Sequence, residues 1–196
     1  MKSIKDDTCN KLIINKSKFI TKLFRVQNKD EINKILDNIN CEYKDSTHIC
    51  FAYIVNGLEK FSDDKEPSGT AGIPILNVLK KNELDNILAV VIRYYGGIKL
   101  GTGGLSRAYS NSIIEALKKT NIASLTYGYL VEMEFSYNNT KLVDYILIDK
   151  KIISKEYKDN IIYKFYLNEN ELFFVAELEK IAIHLSLKDK VLILEN

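Results

Sequence analysis

The chain reads as an α+β protein of two domains, and three observations predict it. Its 196 residues allow one large domain or two small ones. Residues 121–128, NIASLTYG, interrupt the pattern of the chain. Behind that break the elements run β-α-β-β-α-β, the split βαβ or ferredoxin-like succession. The expected domains are therefore 1–122 and 123–196.

The elements follow in order from their periodicity. Residues 17–26, SKFITKLFRV, read as a strand, with Phe19 and Phe24 among β-formers. Residues 29–40 place Ile32, Ile35, Leu36 and Ile39 on one helical face, with Asn28 as N-cap and Glu31 three residues on as in a capping box. Residues 47–55, THICFAYIV, predict a strand, and Asn56-Gly57 predicts a hairpin turn after it. A helix over 71–81 has Ser68 or Thr70 to cap it and Pro74 in its first turn. Residues 86–95, NILAVVIRYY, are a near-continuous apolar run and predict a central buried strand. A helix over 105–119 buries Leu105, Ala108, Tyr109, Ser112, Ala116 and Leu117.

In the second domain, residues 127–137 alternate Tyr129, Val131, Met133 and Phe135 against Glu132 and Glu134, a half-buried strand. A helix over 139–149, capped by Asn139 or Thr140, is followed by a hairpin of 152–157 and 161–167. A helix over 170–186 and a strand over 190–195 complete the pattern, with His184 on the helix face.

Composition sets the class. With 46% hydrophobic and 28% charged residues the chain can build a core. The net charge is +2, but residues 1–122 hold 19 Lys+Arg and 14 Asp+Glu (+5), and the rest hold 9 and 12 (−3). That asymmetry is compatible with a nucleic-acid or ribosome surface on the front domain, and equally with an incidental imbalance. Cys9, Cys41 and Cys50 form no CxxC and are odd in number, so neither a disulfide framework nor a zinc site is indicated. No apolar signal core or run of about 18 apolar residues is present, and a cytoplasmic protein with no membrane association is expected.

Function concentrates at 61–109. Seven of the nine glycines and both prolines fall there. A strand, a Gly-rich loop and a helix start follow one another, with Arg93, Lys99 and Arg107 around Gly101, Gly103 and Gly104. Helix N-termini and Gly-rich turns present N–H donors that favour anions, so these six residues are the candidate phosphate or nucleic-acid site. A tight turn with no ligand explains the same glycines. The loop is not a P-loop, since no Gly-Lys-Ser/Thr closes it, and Ser106 stands where GxGxxG needs its last Gly. Only three of the 28 cationic residues are Arg, and two of them flank this loop. Arg differs from Lys in its bidentate phosphate geometry. Asp63, Asp64 and Glu66 are candidates for contact with a partner or a hard cation, or simply a solvated loop before a helix. No His or distant carboxylate completes a coordination sphere, so no metal and no cofactor is expected. Of the adjacent Tyr94 and Tyr95, core packing is expected for both, although one ring of such a pair can face a base. His48, with no partner at a telling spacing, reads as structural.

DDKEPSGTAGIPIL followed by VIRYYGGIKLGTGGLSRAY, with KSKFI upstream, resembles the signature of the IMPACT/YigZ family. Its pattern reads close to DDGEPSGTAG-x-PIL … V-x-RYFGG-x-KLG-x-GGL-x-RAY. Lys65 stands where Gly is usual, and Tyr95 where Phe is usual. The resemblance implies an N-terminal domain like domain IV of elongation factor G, in a ribosomal-protein-type fold, and a ferredoxin-like C-terminal domain similar to domain V. Eukaryotic relatives are implicated in regulating translation. A non-enzymatic RNA- or ribosome-associated protein is the resulting expectation. Two alternatives are an enzyme acting on a nucleotide or phosphorylated small molecule through the Gly-rich loop, and an adaptor for a protein partner of the translation machinery.

Overall fold

The computed structural model describes residues 1–194, and the chain divides into two units, Met1–Ser124 and a second that begins at Leu125. In the first unit, β1 (Lys2–Ile4) pairs with residues 122–124 at the start of β7 (Ile122–Phe135). The main sheet is antiparallel, with the order β2 (Thr8–Ile14), β3 (Ser17–Arg25), β6 (Ile87–Tyr94), β4 (His48–Val55) and β5 (Leu58–Ser62). Strands β2 and β3 form a hairpin over Asn15-Lys16, at φ 45° and 63°, the left-handed pair that a two-residue hairpin turn requires. Asn56-Gly57, also at positive φ, turns β4 into β5 as its sequence predicts.

Helices lie on both faces. α2 (Gly72–Lys81) and α3 (Gly101–Leu117) bury Ile75, Leu79, Leu105, Tyr109 and Ile113 against Phe19, Leu23, Cys50, Ala52 and Val91. α1 (Lys29–Glu42) packs Ile32 and Ile39 over Tyr53, Val55, Leu88, Val90 and Ile92 on the other face. Strand β6 is thus covered on both sides, which explains its unbroken apolar run. Asn28 caps α1 through Glu31 N (2.9 Å), while the Glu31 carboxylate accepts from Gln27 N rather than from the cap itself.

The second unit is antiparallel in the order β10 (His184–Leu194), β7, β9 (Ile161–Asn168), β8 (Ile152–Tyr157). Each crossover spans one intervening strand: α4 (Thr140–Ile146) joins β7 to β8, and α5 (Val175–Leu178) joins β9 to β10. The core is Val131, Met133, Phe135, Val143, Leu147, Tyr163, Phe165 and Leu178.

Three helix expectations are corrected. The helix expected over 170–186 is a 3₁₀ stretch, Glu169–Phe174, followed by the single turn of α5. His184 opens β10 instead, whose nine register pairs along β7 set Leu185 against the core of this unit, a gain in burial that local helical spacing does not supply. Glu195, at the end of the expected closing strand, lies outside the described residues. The helix expected from 105 begins at Gly101. Neither Ser68 nor Thr70 caps α2, and neither Asn139 nor Thr140 caps α4 through its side chain; Thr70 and Thr140 donate back to Pro67 O and Tyr137 O. Among the described residues no helix is long and apolar enough to cross a membrane.

Candidate functional site

Both signature motifs meet where β6 ends. Gly96 lies against the β2–β3 turn so closely that a Cβ there would stand 2.1 Å from the Lys16 carbonyl carbon, so only glycine fits. Its N–H donates to Ser17 Oγ (3.2 Å). Gly97 and Gly101 take φ of 85° and 69° with open space around them, and turn the chain into α3. The first turn of α3 holds Gly101, Thr102, Gly103 and Gly104, without an acidic residue or a side-chain cap.

The acidic motif is folded inward. Asp63 accepts from Gly69 N (2.8 Å), Ala71 N (3.0 Å) and Gly72 N (2.7 Å). It is therefore Asp63, reaching in from outside α2, that serves the orphan donors at the helix start. Asp64 accepts from Ile49 N (2.6 Å), and its carbonyl accepts from His48 Nδ1 (2.8 Å). Glu66, 7% exposed, accepts at one oxygen from Arg93 Nη1 (2.6 Å) and Tyr109 Oη (2.8 Å). His48 Nε2 stands 3.8 Å from that oxygen. Cys50 Sγ donates to Asp63 O and lies 3.4 Å from the Tyr109 hydroxyl. Among the described residues no cluster of three His, Cys, Asp or Glu side chains is arranged for a metal ion.

Arg93 is thereby removed from the anion site expected of it. At 4% exposure it lies behind the loop, paired with Glu66 and flanked by the rings of Phe19 and Tyr95. Its Nε is buried without a partner. Glu66 is buried with it, and the half-buried Asp63 and Asp64 likewise accept from N–H groups of the chain itself. The reason is electrostatic: a buried guanidinium needs a carboxylate within contact, and Glu66 is the one that the fold delivers. Burial pushes the Cys50 thiol up to about 12, with the nearby Glu66, Asp64 and Asp63 charges adding to it. Burial, then Cys50 and Glu66, hold the Tyr109 hydroxyl well above its ordinary value. Both groups therefore stay protonated and neutral, and Tyr109 serves as a hydrogen-bond donor.

His48 and Cys50 enter this cluster although the sequence offers no spacing that joins them to Glu66. They arrive through the register His48↔Arg93 and Cys50↔Val91 across β4 and β6. Tyr109 is legible only as part of a buried helical stripe.

What remains at the surface is basic. Lys99 and Arg107 are exposed beside the start of α3, Arg107 reaching back toward Gly103. Lys16, whose main chain touches Gly96, and Lys65, next to Glu66, are exposed at the same end of the sheet. None of these four has a carboxylate within ion-pair distance among the described residues, whereas nine other lysines do. Tyr95, expected in the core, is 44% exposed here, and Ile98 beside it is also exposed.

Residues 15–117, which contain both motifs, match the family model described as the Impact N-terminal domain. The chain is 36% identical over 174 residues to "IMPACT family member YvyE" of Bacillus subtilis, covering 86% of this chain and 80% of that protein. It is 35% identical over 152 residues to "IMPACT family member YigZ" of Escherichia coli, 74% of each. A solved structure titled "Crystal structure of an hypothetical protein" is 31% identical, with a TM-score of 0.63 over 91% of this chain and 89% of that one. With the two motifs joined through Glu66, Arg93 and Tyr109, and with these matches over most of its length, the chain belongs to the IMPACT family.

Proposed function

We propose that the chain is a non-enzymatic RNA- or ribosome-associated protein with a role in regulating translation. One observation carries the reading: Lys16, Lys65, Lys99 and Arg107 stand unpaired at one end of the sheet. Between them lies a helix start whose first N–H groups, through Gly103, have no partner within the helix, with no side-chain cap and no acid in its first turn. Cations without acidic partners, grouped around exposed N–H groups, fit a polyanion backbone. The buried Glu66–Arg93–Tyr109 cluster holds the loop in one shape from behind, which lowers the ordering cost of binding. Domains like IV and V of elongation factor G, which the family resemblance implies, would fit the same reading.

The enzymatic alternative requires a free base or metal carboxylate beside the Gly-rich loop. Asp63, Asp64 and Glu66 are engaged by donors of the chain, so no observation favours it.

A fluorescence titration of labelled RNA against the intact protein tests the reading. Affinity falls as salt rises, and neutralising Lys99 or Arg107 lowers the slope of log affinity against log salt by about 0.7 each for a single strand. Absence of binding at low salt sinks the proposal.

A further inference from the structure

The sheet of the first unit has one face closed by α2 and α3 and the other closed only in part. Helix α1 covers β4 and β6. On the β2–β3 side the strand register sets two rows, Ile13–Lys18–Tyr94 and Lys11–Ile20–Ile92, which run from the exposed Ile13 and Lys11 through half-buried side chains to Ile92, buried under α1. Ile13 is 68% exposed and Lys11 is exposed. A hydrophobic side chain left bare between lysines is surface that the fold itself does not use.

The charges on these rows are unbalanced. Lys22, one row further, is bonded to Glu42 (2.9 Å). Lys11, Lys16 and Lys18 have no carboxylate partner among the described residues; Lys18 sits instead over the Tyr94 ring, 3.9 Å from its centroid. Asp45 accepts from the Tyr94 hydroxyl (2.9 Å) and so pins the ring in place. Lys11 and Lys18 are diagonal neighbours across the pair, about 7–8 Å apart at the backbone, of the order of one nucleotide step in an extended single strand. Lys16 leads the row over the hairpin turn to Gly96 and the Lys99–Arg107 end.

The geometry points to this open half-face as a track for single-stranded RNA, an inference that rests on the RNA reading above and adds the path and the form of the ligand. Lys11, Lys16 and Lys18 take phosphates. A phosphate is a better partner for the Lys18 ammonium than a neutral ring, and drawing the ammonium away bares the Tyr94 face for a base to stack on. Ile13 and Ile20 supply apolar contact beside it. A single strand fits better than a duplex, because only unpaired bases present flat faces to a sheet.

The test uses the full chain and a short fluorescein-labelled oligouridylate over a salt series, with poly-glutamate as competitor. In the Lys11→Gln/Lys18→Gln double variant the salt slope drops by about 1.4. Tyr94→Leu weakens binding about ten-fold or more, and Tyr94→Phe, which keeps the ring, binds as the parent does. Thermal melts confirm that each variant is folded, and the Lys11 and Lys18 substitutions give a readout even if Tyr94→Leu is not. If RNA binds but the double variant keeps the parental slope, the track is overturned while the Lys99–Arg107 site stands. Efficient displacement by poly-glutamate assigns the face to an acidic protein and overturns the proposal. If the parent binds no RNA, both readings fall.

Discussion

Glu66 is the residue on which the two motifs depend. One of its oxygens receives Arg93 and Tyr109, and all three side chains are buried. Removing one member of a buried pair leaves the other charge uncompensated, which costs about 3–5 kcal/mol, whereas replacing both with apolar groups is often near neutral. Glu66→Gln is therefore expected to lower unfolding free energy by about that amount, and Glu66→Leu/Arg93→Met to recover most of it. Denaturant midpoints decide it: a Glu66→Gln midpoint equal to the parent would show that the pair is not structural. Lys65, the departure from the family pattern, sits at φ 65°. A left-handed backbone costs an L-residue about 1–2 kcal/mol and glycine little. Lys65→Gly should stabilise by up to about 1 kcal/mol after its greater freedom in the unfolded chain is subtracted. A loss of stability would mean that the Lys65 side chain makes a compensating contact.

The loop between β6 and α3 contains glycines of two kinds. Gly96 is required by space, since a Cβ meets Lys16 main chain that cannot move without shifting the hairpin turn. Gly97 is required only by its φ of 85°, with nothing within 4 Å. Alanine at 96 is expected to cost about 3 kcal/mol or more, by forcing β3 and β6 apart at that end. Alanine at 97 should cost about 1–2 kcal/mol through backbone strain alone. Equal melting temperatures for the two variants would refute this division. The elements themselves were legible where the period was long and clean, as in α1 and β6. The 170–186 segment misled because Leu172, Val175, Ala176 and Ile183 fall at helical spacing. Long-range pairing with β7 overrides that spacing, and Ile183 N donates to Glu134 O at the sheet edge.

At the scale of the molecule, charge and burial divide between the two units. The +5 of residues 1–122 applies equally to Met1–Ser124, since residues 123 and 124 carry no charge. The neutral Cys50 and Tyr109 link the site to global stability. The Cys50 thiol lies at about 12 in the folded chain against 9.0 ordinarily. Between these values the unfolded chain has lost a proton that the folded chain retains, so stability is complete below pH 9.0 and falls as pH rises toward 12. Tyr109 shifts in the same direction. The denaturant midpoint should decline over that window, and less steeply in Cys50→Ala. Near neutral pH a thiol reagent should label the exposed Cys9 and Cys41 well before Cys50. Identical alkaline slopes, or equal labelling rates, would argue against a buried neutral thiol.

By itself the sequence determined the βαββαβ succession of the second unit and the family, and it pointed to the stretch 61–109 as the place to look. These follow from local signals: period, turn residues and glycine placement. It did not determine which charges there are free. Arg93 and Glu66 are 27 residues apart, and Tyr109 is 43 from Glu66. Their meeting depends on the register of β4 against β6 and on α3 packing over that face. Only the tertiary structure turned Asp63, Asp64, Glu66 and Arg93 inward and left Lys16, Lys65, Lys99 and Arg107 outside. The physical reason is that burying a charge is tolerable only where the fold brings its partner within contact, and that partner is a property of the packed chain rather than of its neighbours in sequence.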